Sequence, residues 1–216
     1  MRATDLLQHS VQEDWNAATD HPFCKSLADG SLSQDRMRWY LVQDYKFIDH
    51  FVRLLATAIA HAPTLADGLP AAQFLGLVTS DENTYFLRSF EALKVSEDDR
   101  NAPAAPATRA FQTLMTGARL SGRYEQMLAV LVVAEWSYLT WATRYAAYDP
   151  ELPFWFAEWI DLHSGERFEA VVAYLRGQLD SIWPDLDDQQ RTDATAMFQQ
   201  AVACERAFFD AAWECG

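Results

Sequence analysis

The stretch MLAVLVVAEWSYLTWA, Met127 to Ala142, decides the architecture, because it is apolar on almost every side and offers no continuous polar face to water. A helix built that way sits at the centre of a bundle, with other helices covering it all round. Its unbroken apolar run, Met127 to Ala134, is far shorter than the roughly 20 residues that cross a bilayer, so the helix belongs to a protein core. Three polar residues interrupt it: Glu135, Ser137 and Thr140.

Outward from this segment, apolar residues recur every three or four positions in both directions. The pattern predicts a first helix from about Asp5 to Ala18, ended by His21-Pro22. A second opens at Ser31, with Gln34 completing a capping box, and runs to about His61. A third covers about Pro70 to Lys94, with the proline in its first turn. After a connector, Ser96 to Pro106, helices follow at about Thr108 to Arg119, Tyr124 to Ala147, Phe154 to Leu162, Glu166 to Ile182 and Asp188 to Trp213. No segment alternates with period two for long enough to form a sheet strand, so the fold class is all-α: one domain, residues 1–216, of seven to eight helices.

The balance of 17 Lys+Arg against 31 Asp+Glu, a net charge of −14, leaves no basic stripe for phosphates and argues against nucleic acid as a partner. With no bilayer-length apolar run and a polar amino terminus, the expectation is a soluble cytoplasmic protein without membrane association. Three irregularly spaced cysteines, Cys24, Cys204 and Cys215, form neither a disulfide framework nor a CxxC zinc pair, and read as reduced thiols.

Four long helices each carry a carboxylate inside an apolar stripe. Glu135 lies among Leu128, Leu131, Val132, Tyr138 and Leu139; Asp44 among Met37, Leu41, Ile48 and Phe51; Glu205 among Phe198, Val202, Phe208 and Phe209; Glu82 among Phe74, Leu75, Val78, Tyr85 and Phe86. Any one of them alone is compatible with a stripe-edge acid paired to Arg36, Arg88, Arg144 or Arg206. Together they suggest an aromatic pocket into which acidic groups converge.

Two chemistries use such acids. A di-metal centre needs Glu-x-x-His on two helices, and no histidine here has an acid three residues before it, so no metal or cofactor is implied. The other is acid/base chemistry on a small, basic, planar ligand, with one carboxylate on a ring nitrogen and another activating water. Phe47, Phe111, Tyr138, His163, Phe208 and Trp136 are the candidates for stacking, and His163 also for a ring-nitrogen contact; a core role for each aromatic and a surface helix-end role for His163 stay open. Ser-His-Asp spacing, Gly-rich phosphate loops and HExxH are absent from the sequence.

At these residues the chain resembles the thiaminase type II family, the TenA-like proteins, over essentially its whole length. Arg38 to Tyr45, with Trp39 and Gln43-Asp44, is similar to the family's stretch of a Trp followed by Gln-Asp, with Asp44 at the substrate-binding position, and Glu205-Arg206-Ala207-Phe208-Phe209 is similar to its E-x-x-F-[FW] signature, with Glu205 at the catalytic acid. The resemblance implies a haem-oxygenase-like bundle and a homodimer or homotetramer. Where cysteine-dependent members carry their nucleophile this chain has Ala134, and Phe47, Phe111 and His163 stand at positions of family tyrosines.

That departure is similar to the Cys-less, Glu-containing branch, in which Glu135 and Tyr138 match an E-x-x-Y motif and Asp81-Glu82 a D-E on the third helix. The resemblance then implies thiamin salvage: hydrolysis of N-formyl-4-amino-5-aminomethyl-2-methylpyrimidine, of the aminomethylpyrimidine, or both. The implied roles place Asp44 on the amidine edge, Glu205 as proton donor, Glu135 or Glu205 as activator of water, Phe47 and Phe208 against the ring, and Tyr138 and His163 as hydrogen-bonding groups. A pyrimidine-binding or regulatory protein without turnover is the alternative, since the covalent nucleophile is absent.

Overall fold

The computed structural model describes residues 2–215, and among them every regular element is helical. In chain order these are α1 (Ala3–Ser10), α2 (Gln12–Thr19), α3 (Pro22–Ala28), α4 (Gln34–His61), α5 (Leu65–Leu77), a π-helical turn (Val78–Glu82), α6 (Asn83–Ala92) and α7 (Glu97–Asn101). Then come α8 (Pro106–Leu120), α9 (Tyr124–Arg144), α10 (Phe154–Leu162), α11 (Gly165–Ile182) and α12 (Asp188–Glu214).

Helix α9 is the apolar stretch of the sequence, and it occupies the centre. It packs against α12, α11, α4, α8, α2 and α10, and its residues from Glu125 to Glu135 are all buried. Burying a Leu or Val side chain fully contributes about 1.5–3 kcal/mol, so this helix is a major source of the fold's stability.

The predicted helices are present, with more breaks than periodicity alone reveals. The first splits at Val11, which leaves helical geometry at φ −127°, while the Ser10 hydroxyl donates to the Leu7 carbonyl at 2.7 Å and competes for the helix end. His21-Pro22 is a junction rather than a stop. The His21 Nδ1 accepts the Phe23 N–H at 3.1 Å, and Pro22 takes the first position of α3, where its missing N–H costs nothing. The cap of α4 is Ser33, whose hydroxyl accepts the Arg36 N–H at 3.3 Å, and Ser31 instead donates its N–H to Asp29 in the preceding turn. The predicted connector after residue 95 contains the short α7, capped by Ser96.

The third predicted helix starts earlier, at Leu65, with Thr64 as its cap, so Pro70 lies inside α5 rather than in its first turn. It is then interrupted at residues 78–82. There the Thr79, Ser80 and Thr84 hydroxyls donate to the carbonyls of Leu75, Gly76 and Ser80 at 2.7–2.8 Å. A π turn loosens the regular backbone ladder, and these hydroxyls satisfy its carbonyls. Its last residue is Glu82, one of the four acids. Among the described residues, no helix is long and apolar enough to cross a membrane.

Candidate active site

Helices α4 and α9 present Asp44 and Glu135 to one cavity of about 30 Å³, the room of about two waters. Helical spacing explains the α4 wall: Asp44, Phe47, Ile48 and Phe51 are three or four residues apart and share a face. Helix α9 adds Ala134 and Tyr138, the π turn adds Glu82, and Trp159 and His163 close the far side from α10 and its C-cap. Glu82 also lines an outer chamber of about 180 Å³ between the π turn and α11, with Phe74, Leu77 and Phe168 as apolar walls and the Asp81–Arg167 pair at 3.6 Å on its rim.

The electrostatics follow from burial. Asp44 is 4% exposed, and desolvation pushes its carboxyl up to about 8. Burial, reinforced by the Asp44 charge, likewise raises Glu135 to about 8. Glu82 and Glu205 are held well above the ordinary carboxylate range, first by burial and then by Asp44 and Glu135. The arginines that sequence offered as partners are engaged elsewhere. Arg36 lies over the Trp213 ring, and Arg88, Arg144 and Arg206 pair with Glu158, Asp20 and Asp14. Glu205 Oε1 is buried with no hydrogen-bond partner. Near neutral pH the cluster therefore retains protons, so that one carboxyl can donate while another accepts.

Hydrogen bonds beside the acids form a short chain. The Trp159 indole N–H donates to the Tyr40 hydroxyl at 3.1 Å, and the Tyr40 and Tyr138 hydroxyls are bonded at 2.7 Å. His163 Nδ1 lies 2.9 Å from the Trp159 carbonyl, which can only accept. Burial lowers the imidazole to about 4, so at neutral pH the ring is uncharged with its hydrogen on Nδ1.

Of the residues singled out in the sequence, Asp44, Phe47, Glu82, Glu135, Tyr138 and His163 come together on this wall. His163 is 7% exposed, which removes the surface helix-end alternative. Four others stand outside the lining. Phe111 is a second-layer ring, edge-on behind Phe47 at 4.9 Å, because α8 packs along the outer side of α4. Phe208 packs against Trp39 and Tyr40 at 6.4 and 5.6 Å, so it supports the Tyr40–Tyr138 pair instead of facing the cavity. Glu205 lies in the layer beneath, where after burial the Asp44 and Glu135 charges raise its carboxyl, and its own charge adds to the rise of Tyr138. Trp136 turns away, against Trp15 and under Arg176.

Ile48 and Phe51 lie on the same stripe as Asp44, and with Ala134 of α9 they complete the wall through the packing of α4 against α9, which stripe position alone does not specify. Tyr40 and Trp159 were missed, because their contribution comes from a contact between α4 and α10 that no local spacing encodes. Among the described residues, no group of three His, Cys, Asp or Glu side chains is arranged to hold a metal ion.

The sequence model of the TENA/THI-4/PQQC family matches residues 8–215. The chain belongs to that family. Within TENA/THI-4/PQQC proteins it is similar to the aminopyrimidine aminohydrolase of Bacillus subtilis (strain 168), at 26% identity over 216 residues, covering 99% of this chain and 90% of the relative. Its fold is that of the TenA homologue from P. horikoshii OT3, with a TM-score of 0.86 at 20% identity and all of both chains covered. A domain with a heme oxygenase-like fold from Shewanella denitrificans OS217 superposes with a TM-score of 0.69 at 15% identity, covering 99% of this chain and 93% of that one. The haem-oxygenase-like architecture is thus the one this TENA/THI-4/PQQC chain adopts.

Proposed function

We propose that this protein is a thiamin-salvage hydrolase that cleaves a C–N bond of an aminopyrimidine. The observation that carries the proposal is the convergence of the buried Asp44 and Glu135 and the half-buried Glu82, without a neutralising cation, on one wall with Tyr138 and His163. Buried acids of this kind suit a small heterocycle that is itself a base, since a protonated ring supplies the charge that burial withholds. The name of the B. subtilis relative points to the same chemistry.

In this reading Asp44 holds the amidine edge of the pyrimidine and Phe47 lies against its face. Glu135, which lines the cavity and is left as a carboxylate once the bound ring takes up a proton from the cluster, draws a proton from water, and Glu205 in the layer beneath supplies a proton to the departing nitrogen. For the aminomethyl compound, the methylene C–N bond breaks, the water oxygen bonds to that carbon and ammonia leaves. For the N-formyl compound, water adds to the formyl carbon, the amide C–N bond breaks, and formate and the amine result. Ala134 has a methyl group where a nucleophilic thiol would act, so water attacks directly and the reaction is that of the Cys-less, Glu-containing branch.

A cavity of about 30 Å³ is too small for a pyrimidine ring, so binding requires the wall to open. Glu82, shared with the outer chamber and standing at the end of the π turn, is the side chain that moves in this reading.

Mass-spectrometric turnover of both pyrimidines, with thiamin alongside, tests the proposal. Hydroxymethyl- or aminomethylpyrimidine product is the expected result. A pyrimidine that raises the melting temperature but is never converted would replace the hydrolase by a binding protein of the same fold. Neither product nor a shift would remove the pyrimidine reading altogether.

A further inference from the structure

We propose that Trp159 fixes the direction of the hydrogen bonds around the cavity, through Tyr40 on one side and directly on the other, so that Tyr138 meets the substrate as a donor and His163 as an acceptor. The inference deepens the aminopyrimidine reading and rests on it for the identity of the ligand.

The Trp159 indole N–H donates and never accepts. Trp159 Nε1–H donates to the Tyr40 hydroxyl at 3.1 Å, so it occupies a lone pair there. Tyr40 is 0% exposed, and its other hydroxyl contact is Tyr138, at 2.7 Å. Burial raises both tyrosines well above their ordinary value, so both keep their hydrogens. If Tyr138 donated to Tyr40, the Tyr40 hydrogen would be enclosed with no acceptor, an arrangement that buried groups avoid. Tyr40 therefore donates to Tyr138. The Tyr138 hydrogen then turns away from Tyr40, and Tyr138 lines the cavity.

The same residue sets its second neighbour through the main chain. The Trp159 carbonyl accepts from His163 Nδ1 at 2.9 Å, which leaves the Nε2 lone pair of a neutral ring unused by that bond. His163 also lines the cavity, and its ring centroid is 4.8 Å from that of Tyr138. A donor thus stands beside an acceptor, with both directions imposed from one tryptophan that is 1% exposed. Such a pair matches a substituent with a carbonyl oxygen beside an N–H, a secondary amide such as an N-substituted formamide. A primary ammonium offers donors only and leaves the Tyr138 hydrogen unmatched.

Two measurements test this positioning role. Neutron diffraction from the deuterated, ligand-free protein reads the hydrogens directly. The expected map has deuterium on Tyr40 Oη directed at Tyr138, the Tyr138 deuterium directed away from Tyr40, and deuterium on His163 Nδ1 only. A Tyr138 deuterium directed at Tyr40, or deuterium on Nε2, overturns the proposal. The second measurement is the affinity for the N-formyl pyrimidine in a double-mutant cycle. Tyr138→Phe is expected to weaken binding about tenfold, the value of one hydrogen bond. Tyr40→Phe is expected to weaken it in the natural background and to add nothing to Tyr138→Phe. Independent, additive losses would make Tyr40 a packing residue and overturn its positioning role.

The two failures are distinguishable. The expected deuterium order in a protein that converts no aminopyrimidine removes the functional reading and supports the polarity. Conversion with the order reversed does the opposite.

Discussion

Asp44 and Glu135 come from helices distant in sequence, face the same cavity of about 30 Å³, and each has a carboxyl raised to about 8 by burial. Two acids in one buried site, with no paired arginine, oppose folding when both are charged and become useful when a basic ligand arrives.

The pH dependence of stability follows. The folded-state values of Asp44 and Glu135, about 8, lie above their unfolded values near 4. Their protonated forms favour the folded state, so this contribution is fully present below about pH 4 and is lost as pH rises through 8. Asp44→Asn removes the titration. It is expected to raise the melting temperature at pH 8.5 by about 2–4 °C or more while changing it less at pH 5. Differential scanning calorimetry at the two pH values checks this, and an equal shift at both would contradict it.

Phe47 and Phe111 touch edge to face at 4.9 Å but are expected to fail differently. Phe47 lines the cavity, so Phe47→Ala weakens pyrimidine binding more than it weakens the fold. Phe111 is 1% exposed in the second layer, so Phe111→Ala costs about 3–5 kcal/mol of stability. Urea titration beside isothermal calorimetry separates the two effects.

Glu82 stands at the seam between the inner cavity and the outer chamber. Glu82→Ala is expected to speed pyrimidine association by widening the passage while lowering equilibrium affinity. Stopped-flow tryptophan fluorescence reads both, with Trp159 in the cavity wall as reporter. An unchanged association rate would leave Glu82 a fixed wall.

Much of this architecture was legible in the residues. The all-round apolar character of residues 127–142 placed α9 at the centre, and an acid inside each of four apolar stripes marked where a pocket would be. Phe154–Leu162 begins and ends as the pattern indicates, because prolines and a Ser-Gly pair punctuate it. What escaped the pattern was set by contacts rather than spacing. The π turn that carries Glu82 is stabilised by three hydroxyl-to-carbonyl bonds, and helical periodicity reads through it. Stripe position also could not separate Glu135, on the wall, from Glu205, one layer below, or Phe47 from Phe111 and Phe208, since all face the bundle interior.

The most direct test of the central claim is hydrolysis by the intact protein beside its Glu135→Gln and Glu205→Gln variants, with products followed by mass spectrometry and pyrimidine binding measured on the same samples. Acid/base work by these carboxyls requires that each substitution abolish product while leaving binding within a few fold. Full activity in both variants would contradict it, and would show that the buried acids do not perform the chemistry.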